Sequence, residues 1–149
     1  KDVLLSISGL HYETVGTAEE DANEPIQVIT PATYYFKKDS HYVIYDEMTE
    51  GFKEVTKNVI KFKDSYLEVT KKGLINVHMV FEKNKKNMTS YMTPYGNILI
   101  GIDTEAISLE EKEDQIRLEV AYSLDANYQH LADCKIELEL RSRENGIFF

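Results

Sequence analysis

The feature that most constrains the fold of this chain is a period of two in its apolar residues, repeated from one end to the other. Side chains in a strand point alternately to the two faces of a sheet, so this period predicts strands that bury one face and expose the other. The clearest segment places Ile116, Leu118, Val120, Tyr122 and Leu124 on one face, with Arg117, Glu119, Ala121 and Ser123 between them.

The same alternation predicts ten strands along the chain. They are Val3–Tyr12, Ile26–Phe36, His41–Thr49, Glu54–Phe62, Tyr66–Lys71, Ile75–Phe81, Met88–Pro94, Asn97–Leu109, Ile116–Leu124 and Cys134–Leu140. Short turn sequences such as Lys72-Gly73 separate them, which is typical of consecutive hairpins. We therefore expect an all-β fold, an antiparallel up-and-down β-barrel of about eight to ten strands, because closure removes both sheet edges. A sandwich is the alternative, but it requires a long crossover connection.

Two acidic segments interrupt the alternation. Val15–Glu24 lacks apolar periodicity, so we interpret it as a long loop or a short helix. Glu105–Gln115 could also be helical, with Thr104 as its cap, but its apolar residues are two apart. We prefer a strand that ends near Leu109, followed by an acidic turn over Glu110–Asp114.

Length and charge limit the classes of partner. With 149 residues, the chain is expected to form a single domain over 1–149. Its net charge of -9 disfavours nucleic acid and anionic membrane surfaces. No apolar run is long enough to span a membrane as a helix. The single cysteine, Cys134, gives no support for an oxidising compartment, so a cytoplasmic location is the default expectation.

No familiar catalytic or metal-binding motif is present. The chain lacks a glycine-rich phosphate loop and a nucleophile elbow, so no catalytic residue and no cofactor is predicted. The four histidines, His11, His41, His78 and His130, are isolated, and there is no cysteine pair to complete a metal site. We therefore expect surface or turn positions for all four histidines.

A small polar group inside the barrel is the strongest candidate for a site. Tyr45 and Glu47 lie two apart and share one strand face, and Thr56 lies on the next strand. Such groups either satisfy one another or orient a ligand. A buried carboxylate needs a partner. Lys57 points to the opposite face, so we expect Arg117 or a tyrosine hydroxyl to pair with Glu47.

Several segments, in order, resemble the YwiB-like family of uncharacterised bacterial proteins. They are Ile26–Tyr35, Tyr45-Asp46-Glu47, Thr56-Lys57, Met79-Val80-Phe81, Tyr91-Met92-Thr93-Pro94-Tyr95-Gly96, Ile102-Asp103-Thr104 and Tyr122-Ser123-Leu124-Asp125-Ala126-Asn127. The resemblance implies a lipocalin-like (calycin-type) β-barrel. It implies no activity.

Three functions remain open. The first is a small-molecule-binding barrel for a small apolar or amphipathic ligand, lined by Tyr45, Glu47, Thr56, Met79, Phe81, Tyr91, Thr93 and Tyr122. The second is a structural or protein-interaction module whose core is filled. The third, ranked last, is an enzyme that uses Glu47 as acid or base, with Tyr45 or Tyr91 as its proton partner.

Overall fold

The computed structural model describes residues 1–9, 27–48 and 51–143. Within these ranges the chain forms β1 (Asp2–Ser8), β2 (Gln27–Lys37), β3 (Ser40–Met48), β4 (Val55–Lys63), β5 (Tyr66–Lys72), β6 (Val77–Glu82), β7 (Lys86–Thr93), β8 (Gly96–Glu111), β9 (Gln115–Ala126) and β10 (Gln129–Ser142). Each corresponds to one predicted strand, so the all-β prediction is confirmed. The acidic segment Val15–Glu24 and His11 lie outside the described residues. None of the described residues belongs to a helix that could cross a membrane.

The ten strands form one antiparallel sheet that nearly closes on itself. Neighbouring strands pair in the order β6-β5-β4-β3-β2-β1-β10-β9-β8-β7. The two terminal strands of this order, β6 and β7, meet at a backbone bridge between Asn76 and Met92. Towards the other end of these two strands, the Asn87 side-chain amide donates to the Val80 carbonyl at 3.1 Å. The result is the predicted up-and-down barrel, with a seam between β6 and β7.

The barrel core is the inward face of the alternating segments. Ile116, Leu118, Val120, Ile136, Leu138 and Leu140 are each at most 2% exposed, as their spacing predicts. The β9–β10 register pairs Leu118 with Leu138 and Val120 with Ile136. Apolar side chains on neighbouring strands are therefore brought together in layers, and their removal from water stabilises the fold.

The β8 strand is longer than predicted and contains a bulge. It continues to Glu111, so the acidic turn is shorter than Glu110–Asp114. Its register with β9 shifts between Thr104 and Ala106. The extra residue changes which positions point inward, so that Thr104 and Ile107, three apart, both contribute to the interior. The helical alternative for this segment is wrong.

The two ends of the barrel are formed by different sets of turns. We name them after the polar residue that each contains. At the Glu47 end lie the β3–β4, β5–β6 and β7–β8 turns. The β5–β6 turn is tight there, because a Cβ at Gly73 would collide with the Val55 carbonyl oxygen, and its φ of 147° disfavours other residues. At the His41 end lie the β2–β3, β4–β5 and β8–β9 turns.

Candidate functional site

Strand register brings four polar side chains together at the Glu47 end. Glu47 on β3 lies opposite Thr56 on β4, and Asn58 on β4 lies opposite Lys71 on β5. Because these positions have inward parity, all four belong to the barrel interior and not to its outer wall. We call Glu47, Asn58 and Lys71 the polar triad.

An ion pair joins the two charged members of the triad. Lys71 Nζ lies 2.8 Å from Glu47 Oε1. The lysine side chain is 1% exposed and the glutamate side chain 21%, so the carboxylate is the member that solvent can reach. Burial lowers the pKa of Lys71, while the charge and hydrogen bond of Glu47 oppose that shift. The negative charge of Glu47 therefore helps to keep the buried Lys71 protonated.

The third member, Asn58, is only half satisfied. Its Nδ2 donates to Glu47 Oε1 at 3.3 Å and to the Thr56 carbonyl at 3.4 Å, which are both long hydrogen bonds. Its Oδ1 is buried and has no hydrogen-bond partner. Exchanging the amide oxygen and nitrogen would set the oxygen against the carboxylate, so the orientation follows from the contacts. A buried acceptor without a donor costs stability, and native proteins contain few of them.

Two tyrosines border the triad. Tyr45 is 4% exposed, and burial first and the Glu47 charge second raise its pKa. The same two causes, in the same order, raise the pKa of Tyr91 on β7 to about 12. Both phenols therefore stay protonated at neutral pH and can donate or accept hydrogen bonds beside the carboxylate.

The two predicted threonines have different roles. Thr56 is fully buried, and its hydroxyl oxygen accepts the backbone N–H of Ile75 at 3.3 Å, which ties β4 to the β5–β6 turn. The Thr93 hydroxyl donates to the Gly96 carbonyl at 3.0 Å and accepts the Tyr95 N–H at 3.1 Å. Thr93 thus shapes the β7–β8 turn, and these contacts do not join it to the triad.

The three remaining residues that were predicted to line a ligand site are part of the packed core deeper in the barrel. Met79, Phe81 and Tyr122 are 1%, 0% and 2% exposed, so almost no water-sized space adjoins them. Phe81 meets Tyr122 edge to face, with ring centroids 5.0 Å apart. The Tyr122 hydroxyl donates to the Gly9 carbonyl at 3.0 Å. The middle of the barrel is therefore packed, and the accessible polar chemistry lies at its end.

The expected pairing of Arg117 with Glu47 is wrong. Arg117 lies on the outer face of β9, where its Nε is 3.9 Å from a carboxylate oxygen of Glu139. Sequence reasoning missed Lys71, although the signal was present: Leu67, Val69 and Lys71 share one parity on β5. Asn58 was missed for the same reason, since it shares the parity of Thr56 and Ile60 on β4.

The expectation of surface or turn histidines is wrong for His41, which is 2% exposed. Its Nδ1 lies 2.8 Å from the Tyr34 hydroxyl, and its Nε2 lies 2.6 Å from Glu111 Oε1. Its ring also stacks on Phe62, with centroids 4.8 Å apart. His78 and His130 are exposed, as expected. Among the described residues no group of three or more side chains could hold a metal ion.

A nearly closed, ten-stranded antiparallel barrel with the polar triad inside one end and the buried His41 at the other defines the structural class. The chain belongs to the family described as domain of unknown function DUF1934, whose model matches residues 10–138. Among solved structures it is similar to the ywiB protein from Bacillus subtilis, with a TM-score of 0.74, 18% identity, and coverage of 96% of this chain and 92% of that chain. The resemblance to the YwiB-like family is confirmed, and the structural likeness supports the barrel fold. No curated protein matches the chain significantly.

Proposed function

We propose that this protein binds a small amphipathic molecule at the Glu47 end of the barrel. The observation that carries the proposal is the polar triad: two opposite charges and a buried unpartnered acceptor lie inside one end of a barrel whose middle is packed with apolar side chains. Ligand sites in proteins combine mostly apolar walls with a few placed polar groups, and barrel mouths are a frequent location for them.

Apolar side chains near this end supply the second half of such a site. Ile75, Tyr91 and Ile98 are partly buried and pack against the core. At the rim, Phe52 of the β3–β4 turn meets the ring of Tyr95 of the β7–β8 turn, with centroids 6.3 Å apart at 80°. Tyr95 itself is largely exposed. These side chains can cover the apolar part of a ligand whose polar head reaches the triad.

The packing of the barrel interior limits the ligand to this end. Because Met79, Phe81 and Tyr122 have almost no accessible surface, a deep cavity does not adjoin them. Of the eight predicted liners, Tyr45, Glu47, Thr56 and Tyr91 therefore belong to the proposed site. Met79, Phe81 and Tyr122 form its floor, and Thr93 holds a neighbouring turn.

A fluorescence titration tests the proposal. N-phenyl-1-naphthylamine, an apolar fluorophore with one N–H donor, should bind saturably to the wild type. Glu47→Gln should weaken binding about tenfold, since a hydrogen bond to a charged group is removed. Glu137→Gln, on the exposed outer face, is the matched control and should bind normally. Absence of saturable binding to the wild type would exclude this function.

A folding control accompanies the titration. Glu47→Gln leaves the buried Lys71 without its anionic partner, which itself destabilises the protein. The double variant Glu47→Gln/Lys71→Met removes both charges and should melt closer to the wild type. If this variant is folded and binds the probe as tightly as the wild type, the triad is not the site.

A structural or protein-interaction module is the second candidate, and the packed middle of the barrel favours it. In that case the wild type would fail to bind the probe, and Glu47→Gln would change the melting temperature only. An enzyme that uses Glu47 is a weaker candidate, since this carboxylate is already engaged by Lys71 and Asn58.

We also propose a bacterial, cytoplasmic setting without nucleic-acid or membrane partners. The likeness to the Bacillus subtilis protein supports the bacterial setting, and the presence of one cysteine gives no support for an oxidising compartment. The net charge of -9 supports the partner classes, since it repels phosphate backbones and anionic lipid surfaces. A mobility-shift assay at physiological salt should show no binding to RNA or DNA.

A further inference from the structure

We infer that the triad selects an uncharged head group that donates a hydrogen bond, such as an alcohol or an amide N–H. This inference rests on the proposed function and names the chemical class of its ligand. The group that would bind this donor is Asn58 Oδ1, a buried acceptor with no hydrogen-bond partner among the residues that the structure describes.

The contacts of Asn58 leave its side-chain oxygen as the atom without a hydrogen-bond partner. Its two N–H groups are directed to Glu47 and to the Thr56 carbonyl, so the amide is held with its oxygen away from the carboxylate. An amide oxygen accepts hydrogen bonds and cannot donate them. A head group that only accepts, such as an ether or an ester, would leave it unsatisfied.

The charges around Asn58 exclude a charged head group. Lys71 and Glu47 lie 2.8 Å apart and already cancel. Burial keeps Tyr45 and Tyr91 protonated, so neither phenol adds a charge at neutral pH. A carboxylate or an ammonium group brought to Asn58 would therefore lose its hydration without a free counter-charge, which is costly.

The members of the triad differ in their exposure to solvent. Glu47 is 21% exposed, whereas Lys71 is 1% exposed and Asn58 is fully buried. A head group must therefore displace side chains at this end before its donor can reach Asn58 Oδ1. An uncharged head group loses less hydration on burial than a charged one, which again favours an alcohol or an amide.

A pair of isomers tests the inference on the wild-type protein. Both n-octanol and heptyl methyl ether have the same atoms, but only the alcohol donates a hydrogen bond. In displacement of N-phenyl-1-naphthylamine, n-octanol should bind roughly three- to tenfold more tightly, as expected for one net hydrogen bond. Octanoate and octylammonium should both bind more weakly than n-octanol. Equal binding of the two isomers, or tighter binding of either ion, would overturn the inference.

Two variants locate the preference at Asn58. Asn58→Leu keeps the side-chain size and removes the acceptor, so the alcohol-to-ether ratio should fall to about one. Thr104→Val is the matched control, because Thr104 Oγ1 is the other buried side-chain atom without a partner in the described chain and lies beside the β6–β7 turn. It should keep the wild-type ratio. A ratio retained in Asn58→Leu would overturn the assignment.

The failure of the proposed function has a different signature. If no member of the set displaces the probe and the probe itself does not bind saturably, the barrel end is not a ligand site. If the ether and the alcohol displace the probe with equal affinity, the ligand site exists but does not discriminate between head groups with and without a hydrogen-bond donor. The two outcomes are separated within one titration series.

Discussion

The two ends of the barrel each contain a buried polar cluster, but only one of them is complete. At the His41 end, both ring nitrogens of His41 have partners, Tyr34 at 2.8 Å and Glu111 at 2.6 Å. At the Glu47 end, Asn58 Oδ1 has none. A complete network stabilises one arrangement of the core, whereas an incomplete one carries a cost that a ligand can remove.

The charged groups at the two ends also differ in how far they are buried. The carboxylate of Glu111 is 42% exposed and meets a histidine, so water shares in its solvation. The cation of Lys71 is 1% exposed and depends on Glu47. Polar burial alone therefore does not identify a site. The features that distinguish the Glu47 end are an unpartnered atom in the same cluster as a buried ion pair and the depth of the lysine charge.

The largest expected effect lies between the two ends, in the packed middle. Leu138 is 2% exposed and pairs with Leu118. Leu138→Ala should lower the free energy of unfolding by about 2–5 kcal/mol, because a large apolar group is replaced by a cavity. The neighbouring Glu137→Ala should change it by less than about 0.5 kcal/mol. Urea denaturation measures both. Equal losses would mean that the middle is not the apolar layer that separates the clusters.

The second effect tests whether the His41 end is structural. His41→Leu removes one hydrogen bond to the Tyr34 hydroxyl and one to the Glu111 carboxylate, and should cost about 1–3 kcal/mol. His78→Leu, an exposed histidine paired with Glu68, should cost less than about 1 kcal/mol. In a double-mutant cycle, Tyr34→Phe and His41→Leu should be non-additive. Additive losses would argue against a coupled network.

The fold was predictable because its signal is repetitive. Each strand shows the same period of two, and the six core positions on β9 and β10 follow from parity alone. The β8 bulge was not predictable, because one additional residue changes the parity without leaving a turn residue behind. Its effect is visible in Ile107, which faces the core although Ile102 and Thr104 have the opposite parity.

The site was only partly predictable, for a different reason. Parity placed Tyr45, Glu47 and Thr56 on one inward face, and in the structure Tyr45 and Thr56 are buried and Glu47 is half-buried. Partners of a buried charge, however, depend on which strands become neighbours and at what register. Lys71 lies 24 residues from Glu47 in sequence and meets it through the β3–β4–β5 ladder. The sequence signal that was available is that Lys71 occupies a position whose neighbours of the same parity, Leu67 and Val69, are apolar.

A smaller effect on stability distinguishes Asn58, whose side-chain oxygen has no partner, from Thr56, whose side-chain oxygen has one. Asn58→Leu should change the free energy of unfolding by less than about 1 kcal/mol, because little hydrogen bonding is lost and an unsatisfied acceptor is removed. Thr56→Val, one inward position away, should cost about 1–2 kcal/mol, since its oxygen accepts the Ile75 N–H. A greater loss for Asn58→Leu than for Thr56→Val would show that the Glu47 end is as complete as the His41 end.

The smallest effect is a change in tyrosine pKa, and it distinguishes the influence of Glu47 from that of Glu111. The pKa of Tyr34 and the pKa of Tyr91 are both raised to about 12, chiefly by burial, with Glu111 the second cause at one end and Glu47 at the other. An unfolded tyrosine releases its proton near pH 10. The folded chain holds these protons longer, so the stability that they contribute is full below pH 10 and is lost as the pH rises towards about 12.

Glu47→Gln should therefore lower the pKa of Tyr91 and leave that of Tyr34 unchanged, because it removes a negative charge from one end only. The ultraviolet absorbance of tyrosinate, followed against pH, measures the shift. The variants Tyr91→Phe and Tyr34→Phe identify the two tyrosines in that titration. Glu111→Gln is the reciprocal control and should lower the pKa of Tyr34 alone. If Glu47→Gln moved both tyrosines equally, the two ends would be one electrostatic unit, and the contrast between an open and a complete cluster would not hold.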